Sequence, residues 1–259
     1  MSLNIEFKTI ERLKGLVPEP VPAYKAYPDW FQELPKKDSK CPFAFLNNNP
    51  YQLQFYNGNI TGCVGIQDFF KLGYIIPNWA HFVFREDNGS LVPNWLESPY
   101  SMNYKTHDMA EQFPTMKNPP TYKHFSKVLT PWIIQTSPGV SCLITHPVWH
   151  RNKNFTTATG VFHTDQSPLT LPWFFEWNVK IKNGLSVHEG FEVENQCIER
   201  EEPLMLVIPF YRKKFNSHVE YVSENEYDRL NKVQAAKTHK LISDDPYRKF
   251  RKSIQRLFS

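Results

Sequence analysis

Apolar and polar residues alternate from the first residues of the chain. In LNIEFKTIERL, Ile5, Phe7 and Ile10 fall near one face of an extended segment. The next stretch, VPEPVPAYKAYPDWFQELPKK, carries five prolines between Pro18 and Pro35. That spacing predicts an extended segment closing in one short helix over YPDWFQEL, with Asp29 as N-cap and Trp30, Phe31 and Leu34 as its anchoring stripe. CVGIQDFFKLGYIIPNWAHFVFRED then predicts a helix over Ile66–Leu72 and strands over Tyr74–Pro77 and Ala80–Arg85. Asn88-Gly89 favours the primed turn of a hairpin. From Glu97 to Lys123 the pattern has little period, which reads as a long covering loop.

The densest strand pattern runs from Thr130 to Arg212. PWIIQTSP, GVSCLITHP, ATGVFHTDQ, PWFFEWNVKI, GFEVEN and EPLMLVIPFYR read as successive strands, separated at Gly139, Asn154, Pro168, Asn183-Gly184 and Arg200-Glu201-Glu202. Val161, Leu206, Ile208 and Phe210 are the expected core of this region. SENEYDRLNKVQAAKTHKLI then turns helical. Ser223 and Glu226 have the spacing of a capping box, and Tyr227, Leu230, Val233 and Ala236 keep helical intervals. In DPYRKFRKSIQRLFS, Phe250, Ile254 and Leu257 make an apolar stripe among Arg248, Lys249, Arg251, Lys252 and Arg256. This is a basic amphipathic helix suited to docking on its own domain or on a second subunit.

These patterns predict a mainly β protein, a β-sandwich or jelly-roll-like fold of the cupin or barrel-like kind. A Pro-rich N-terminal segment precedes the core and a C-terminal helical extension follows it. The expected boundaries are residues 1–40 for the N-terminal strand and Pro-rich segment, 41–215 for the β-rich core and 216–259 for the extension. No internal repeat is evident.

Composition supports this picture. Aromatic residues make up 15% of the chain, and 21 prolines stand against 10 glycines, a balance suited to pleated strands and rigid connections. The net charge of +4 is spread with both signs mixed over most of the chain, which speaks against a nucleic-acid footprint. The four cysteines, Cys41, Cys63, Cys142 and Cys197, include no CxxC pair. Reduced thiols are therefore expected, with neither a disulfide framework nor a zinc knuckle. MSLNIEFKTI lacks the signature of a signal peptide, and no run approaches the ~18 apolar residues of a membrane span. The expected location is the cytosol, or a particle assembled there.

Candidate chemistry begins with TGVFHTDQSP. His163 and Asp165 are two residues apart, so on a strand both side chains share a face. Iron and 2-oxoglutarate oxygenases use such a His-x-Asp pair with a distal histidine. His218 is better spaced for that third position than His188, and Arg229 could pair with a 2-oxoglutarate carboxylate. The competing reading has Asp165 closing the turn DQSP through its own backbone, with His163 an incidental neighbour. That reading is favoured, so the expected cofactor is none, with Fe(II) and 2-oxoglutarate as the alternative. In THPVWHRN, Pro147 forbids a regular helix that would align His146 with His150; His146 should end a strand while Trp149 packs a loop. Trp173, Phe175 and Trp177 share one face of PWFFEWN and Phe174, Glu176 and Asn178 the other. The first set reads as core, or else as an aromatic platform for a sugar, base or peptide. Glu199, Glu201 and Glu202 suit a polar turn better than an acid–base pair. No P-loop, GxSxG or GxGxxG is present.

LGYIIP (Leu72–Pro77), TPWIIQTSPGVSCLITHP (Thr130–Pro147), TATGVFHTDQSP (Thr157–Pro168) and EREEPLMLVIPF (Glu199–Phe210) together resemble an uncharacterised protein family of T4-like marine cyanophages with distant bacterial relatives. PAYKAYPDWFQELP resembles that family's N-terminal segment, so the resemblance spans about Pro22 to Lys213. In the family pattern the position of His163 varies among Val, Asp and Glu, whereas Asp165 is usual. The resemblance implies a shared shape and no activity. It points to a phage-encoded binding, structural or accessory protein of the host cytosol or virion, an enzyme being the less favoured reading. Its expected partners are another copy of itself or another phage or host protein.

Overall fold

The computed structural model describes residues 4–34, 60–87, 90–100, 104–107, 123–178 and 196–232. Its strands, in chain order, are β1 (Ile5–Lys8), β2 (Val21–Pro22), β3 (Tyr74–Pro77), β4 (His81–Asp87), β5 (Ser90–Leu96), β6 (Tyr104–His107) and β7 (Lys123–Thr136). They continue with β8 (Val140–Thr145), β9 (Phe155–Thr157), β10 (Gly160–Phe162), β11 (Leu169–Asn178), β12 (Gln196–Ile198) and β13 (Pro203–Tyr211). Among the described residues the α-helices are α1 (Asp29–Glu33), α2 (Val64–Phe69) and α3 over 224–232. The protein is mainly β, consistent with a sandwich or jelly-roll-like fold. Among the described residues no helix is long and apolar enough to cross a membrane.

The chain divides into two compact units, Met1–Ala26 with Leu72–Lys213, and Tyr27–Lys71 with Lys214–Ser259. The strands among the described residues all lie in the first unit, in three antiparallel sheets. One runs β1-β7-β11-β9, with β6 also pairing β7; the second runs β10-β8-β13-β3-β2; the third runs β12-β4-β5. Strict alternation fills the interior. Ile5 and Phe7 on β1, Val128, Trp132 and Ile134 on β7, Leu171, Trp173 and Phe175 on β11 and Phe155 on β9 join one hydrophobic core. Ile76, Cys142, Ile144, Met205 and Val207 contribute from the second sheet, and Phe82 and Ile198 from the third. Trp173 and Phe175 stack with centroids 3.7 Å apart, and Phe82 meets both rings edge-on. Thr157 Oγ1 donates to the Leu204 carbonyl at 2.5 Å, tying the first sheet to the second.

Most predicted strands appear where the alternation put them, Tyr74–Pro77 with the same bounds. The β4–β5 register closes with Asp87 opposite Ser90; the Asn88-Gly89 turn itself lies outside the described residues. Three details differ from expectation. Within the expected loop Glu97–Lys123, Tyr104–His107 forms β6 on β7, because pairing to a long neighbour supplies order that a local pattern cannot. Pro28, with its fixed φ of −59°, takes the N-cap position of α1, and Asp29 sits in the first turn. The helix expected over Ile66–Leu72 starts at Val64 and ends at Phe69, ahead of Gly73, which stands at φ +70°.

The core expectation needs the largest correction. Leu206 is 2% exposed, but Val161 is 52% and Phe210 38% exposed, and Ile208 is only half-buried. Val161 pairs with Leu143, Ile208 with Leu143 and Phe210 with Ser141, so all three share the outward face of the second sheet. The inward face carries Val207 opposite Ile144. A period of two gives either face an equal claim, and on β13 the core-facing set is Met205 and Val207.

In the second unit, Tyr27 and Phe31 stack at 5.6 Å and both rings meet Phe70, at 5.3 and 4.7 Å. Phe31 therefore anchors α1. Ser223 Oγ accepts from the Glu226 peptide N–H at 3.3 Å, as the capping pattern predicts. Glu226 turns its carboxylate to Arg229 at 2.6 Å, so Arg229 is engaged within its own helix. Val233, Ala236 and the basic stripe of 246–259 lie outside the described residues.

Candidate functional site

His163 and Asp165 do come together, around a guanidinium. The β8–β10 register brings His163 opposite Ser141, and β13 delivers Arg212 beside Gly139, whose carbonyl accepts from the Arg212 N–H at 3.0 Å. Arg212 Nη1 and Nη2 donate to the two carboxylate oxygens of Asp165 at 2.6 and 2.5 Å. The Gly139 N–H donates to Asp165 Oδ2 at 2.8 Å. Arg212 Nη1 also lies 2.8 Å from Ser141 Oγ and 3.2 Å from His163 Nδ1, and Ser141 Oγ is 2.8 Å from the same nitrogen. Guanidinium nitrogens only donate, so Arg212 gives its protons to the Asp165 carboxylate and to Ser141 Oγ.

Asp165 is 7% exposed, and the Arg212 hydrogen bonds, then the Gly139 N–H, hold its carboxyl down to about 2. The cation between His163 and Asp165 is Arg212. His218 is exposed and belongs to the other unit. The arrangement fastens the turn after β10 to the ends of β8 and β13. Ser141 Oγ accepts from Arg212 and keeps its own proton toward His163 Nδ1, so it bridges the guanidinium and the imidazole. Sequence reasoning missed Arg212, because nothing local marks it as the partner of Asp165.

A second cluster was not foreseen at all. Cys197 and Glu199 are two residues apart on and just beyond β12, and the register Ile198↔Phe82 brings His81 of β4 opposite Glu199. Phe82 and Ile198 point into the core, so His81, Cys197 and Glu199 share the opposite face. His81 Nδ1 lies 2.6 Å from Glu199 Oε2, and one ligand atom of each of the three residues lies within 4.8 Å of the others. Burial, reinforced by a hydrogen bond to Glu199, pushes the Cys197 thiol up to about 11.

The backbone carrying these residues is held by asparagines. Asn154 Nδ2 donates to the Cys197 carbonyl, and Asn78 Nδ2 to the carbonyls of Ile198 and Glu199, each at 3.0 Å. The Glu199 N–H donates to Glu202 Oε2 at 3.0 Å, while Glu202 Oε1 accepts from Asn152. Glu202, whose carboxyl is raised chiefly by burial, is thus a brace of the turn. Glu201, at φ 72°, is exposed in it. The three glutamates form the polar turn expected of them.

The remaining candidates resolve into structure. His146 follows β8, and its Nδ1 accepts from the Thr157 N–H at 3.2 Å while its ring meets Phe155 edge-on. Burial lowers its pKa, with His150 adding to the effect. Trp173 and Phe175 are fully buried, which makes them core and not a platform. His188 lies outside the described residues. A cavity of about 340 Å³ lies beside β1 and β7, lined by Phe7, Thr9, Leu13, Val17 and Trp132 among others. Thr9 Oγ1 and Trp132 Nε1 are buried there without a partner among the described residues, a setting for water or a small polar guest.

Beyond β13 the chain runs from 212 to 223 without a turn or bend. Phe215, Val219 and Tyr221 fall on the odd positions of this arm, at 92%, 74% and 95% exposed.

No family model and no curated protein matches the chain. Two solved structures of phage enzymes are similar to it. One is an Asp-to-Asn mutant of the dUTPase from phage phi11 of S. aureus, described for its coordination of a structural Mg(II) ion. It has a TM-score of 0.31 at 12% identity, over 59% of this chain and 84% of that one. The other is a Gly-to-Ser mutant of the Staphylococcus bacteriophage 80alpha dUTPase with dUpNHpp, with a TM-score of 0.32 at 11% identity, over 86% of this chain and 93% of that one. Likeness at this level carries nothing about activity.

Proposed function

We propose that the chain is a phage-encoded binding or structural protein that assembles with a second copy of itself by strand addition. One observation carries the reading. The arm after β13 alternates in sequence like a strand and joins no sheet among the described residues, with Phe215, Val219 and Tyr221 exposed. Three large apolar side chains exposed within seven residues mark a surface that meets a partner. An extended segment finds that partner at an open sheet edge, where backbone hydrogen bonds give affinity and pockets for alternate side chains give specificity.

Each copy also carries an edge to receive the arm. Among the described residues β10 pairs only with β8, and its Val161 is exposed. Donor and acceptor on the same chain favour a second copy over a foreign protein. The phage resemblance, which brings no activity, agrees with an assembly role.

Sedimentation of the full chain across micromolar concentrations tests this reading. Expected is a dimer or larger species that Phe215→Ser combined with Tyr221→Ser returns to monomer while far-ultraviolet circular dichroism stays unchanged. A chain that is monomeric throughout, or an oligomer indifferent to the double substitution, overturns it.

A further inference from the structure

We propose that His81, Cys197 and Glu199 bind a divalent ion of the zinc class, with a fourth position open to solvent. The donor set is the first argument. Imidazole, thiolate and carboxylate are the three side-chain ligands zinc takes, and a sulfur donor selects it over magnesium or calcium. Three protein ligands leave a tetrahedral ion one site for water or an anion. His81 and Glu199 are 46% and 65% exposed, so that site is reachable.

Geometry is the second argument. The three ligand atoms already lie within 4.8 Å of one another. In a tetrahedral zinc site the corresponding separations are roughly 3.3–3.6 Å. Small side-chain rotations close the difference, and the register that sets the three on one face needs no change. The His81–Glu199 hydrogen bond opens as the ion inserts between them.

The third argument is rigidity. Three successive carbonyls, at Cys197, Ile198 and Glu199, accept from asparagine side chains, and the Glu199 N–H is held by Glu202. A simple surface ion pair between His81 and Glu199 needs none of this bracing. A ligand set does, because affinity depends on holding the donors in place before the ion arrives. The inference stands apart from self-association and does not require it.

The test uses the full-length chain, reduced and stripped with chelator, titrated with Co²⁺ as the probe. Expected is one equivalent bound, with a sulfur-to-cobalt charge-transfer band and the strong visible bands of a tetrahedral ion, both erased by an equivalent of Zn²⁺. Cys197→Ser should remove the charge-transfer band, and His81→Gln and Glu199→Gln should each weaken Zn²⁺ at least about tenfold. Cys63→Ser should change nothing. If Cys197→Ser fails to fold, His81→Gln decides the matter through the intensity of the same band. Absence of the band at millimolar Co²⁺, its persistence in folded Cys197→Ser or its loss in Cys63→Ser overturns the assignment.

Discussion

Arg212 and Asp165 are 47 residues apart in the chain and form a two-pronged ion pair at 2.6 and 2.5 Å. Such a pair fixes orientation as well as distance, since two parallel hydrogen bonds leave one geometry. It closes the open end of the second sheet, where β8 begins and β13 finishes.

The first prediction is a pH dependence. The Asp165 carboxyl is held at about 2 against an ordinary 3.8. Its folded pKa is depressed, so its contribution is complete above about pH 4 and is lost as pH falls toward 2. Thermal midpoints measured across that window should fall more steeply for the native chain than for Asp165→Asn. Equal slopes would mean the pair contributes nothing to the acid limb.

A second prediction separates the two faces of the sheets. Phe175 is fully buried against Trp173, and Phe175→Ala should cost ~3–5 kcal/mol. Phe210, on the outward face, should lose less than ~1 kcal/mol on the same change. Denaturant unfolding of the two variants gives the comparison directly. Similar losses would place Phe210 in the core after all.

Gly73 gives a third. Its φ is +70°, and an added Cβ would fall on the Val207 carbonyl oxygen of β13. Gly73→Ala therefore combines left-handed strain with a backbone clash and should cost more than ~2 kcal/mol. A melting temperature unchanged from the parent would show that β3 and β13 can part there at little cost.

Asn78 supplies the fourth. Its side chain is fully buried and donates to two carbonyls. Asn78→Ala should cost about 1–3 kcal/mol. Asn78→Asp, almost the same shape, should cost more at neutral pH because a carboxylate then faces two oxygens. The ranking is the readout, and the reverse order would mean the amide is not the donor.

The sequence made some of this legible and hid the rest for physical reasons. Tyr74–Pro77 was readable because a short apolar run bounded by Gly73 and Asn78 has few other solutions. Trp173 and Phe175 were readable because alternation put them together and their size demands burial. Val161, Ile208 and Phe210 look equally apolar, yet whether a strand lies at an edge, and which face turns inward, depends on neighbours far along the chain. The sites show the same limit. The spacing of His163 and Asp165 put both on one side of the turn, but Arg212, which lies beside both, is delivered only by the β8–β13 register. Cys197 and Glu199 carry a local signal in their spacing of two, but His81 joins them only through the pairing of β12 with β4.

The pairing of β1 with the far end of β7 governs how the molecule is made. Ile5 lies opposite Thr136 and Lys8 opposite Ile133. On a ribosome adding about 5–20 residues per second, the first strand waits on the order of 10 s before its partner exists. Until then Ile5 and Phe7 are apolar side chains without a sheet. When β7 emerges, β6 is already there to pair with it, and β11 joins as soon as that strand follows. The N-terminal strand is thus ready first and needed late, and the newborn chain must keep it from pairing elsewhere during that interval.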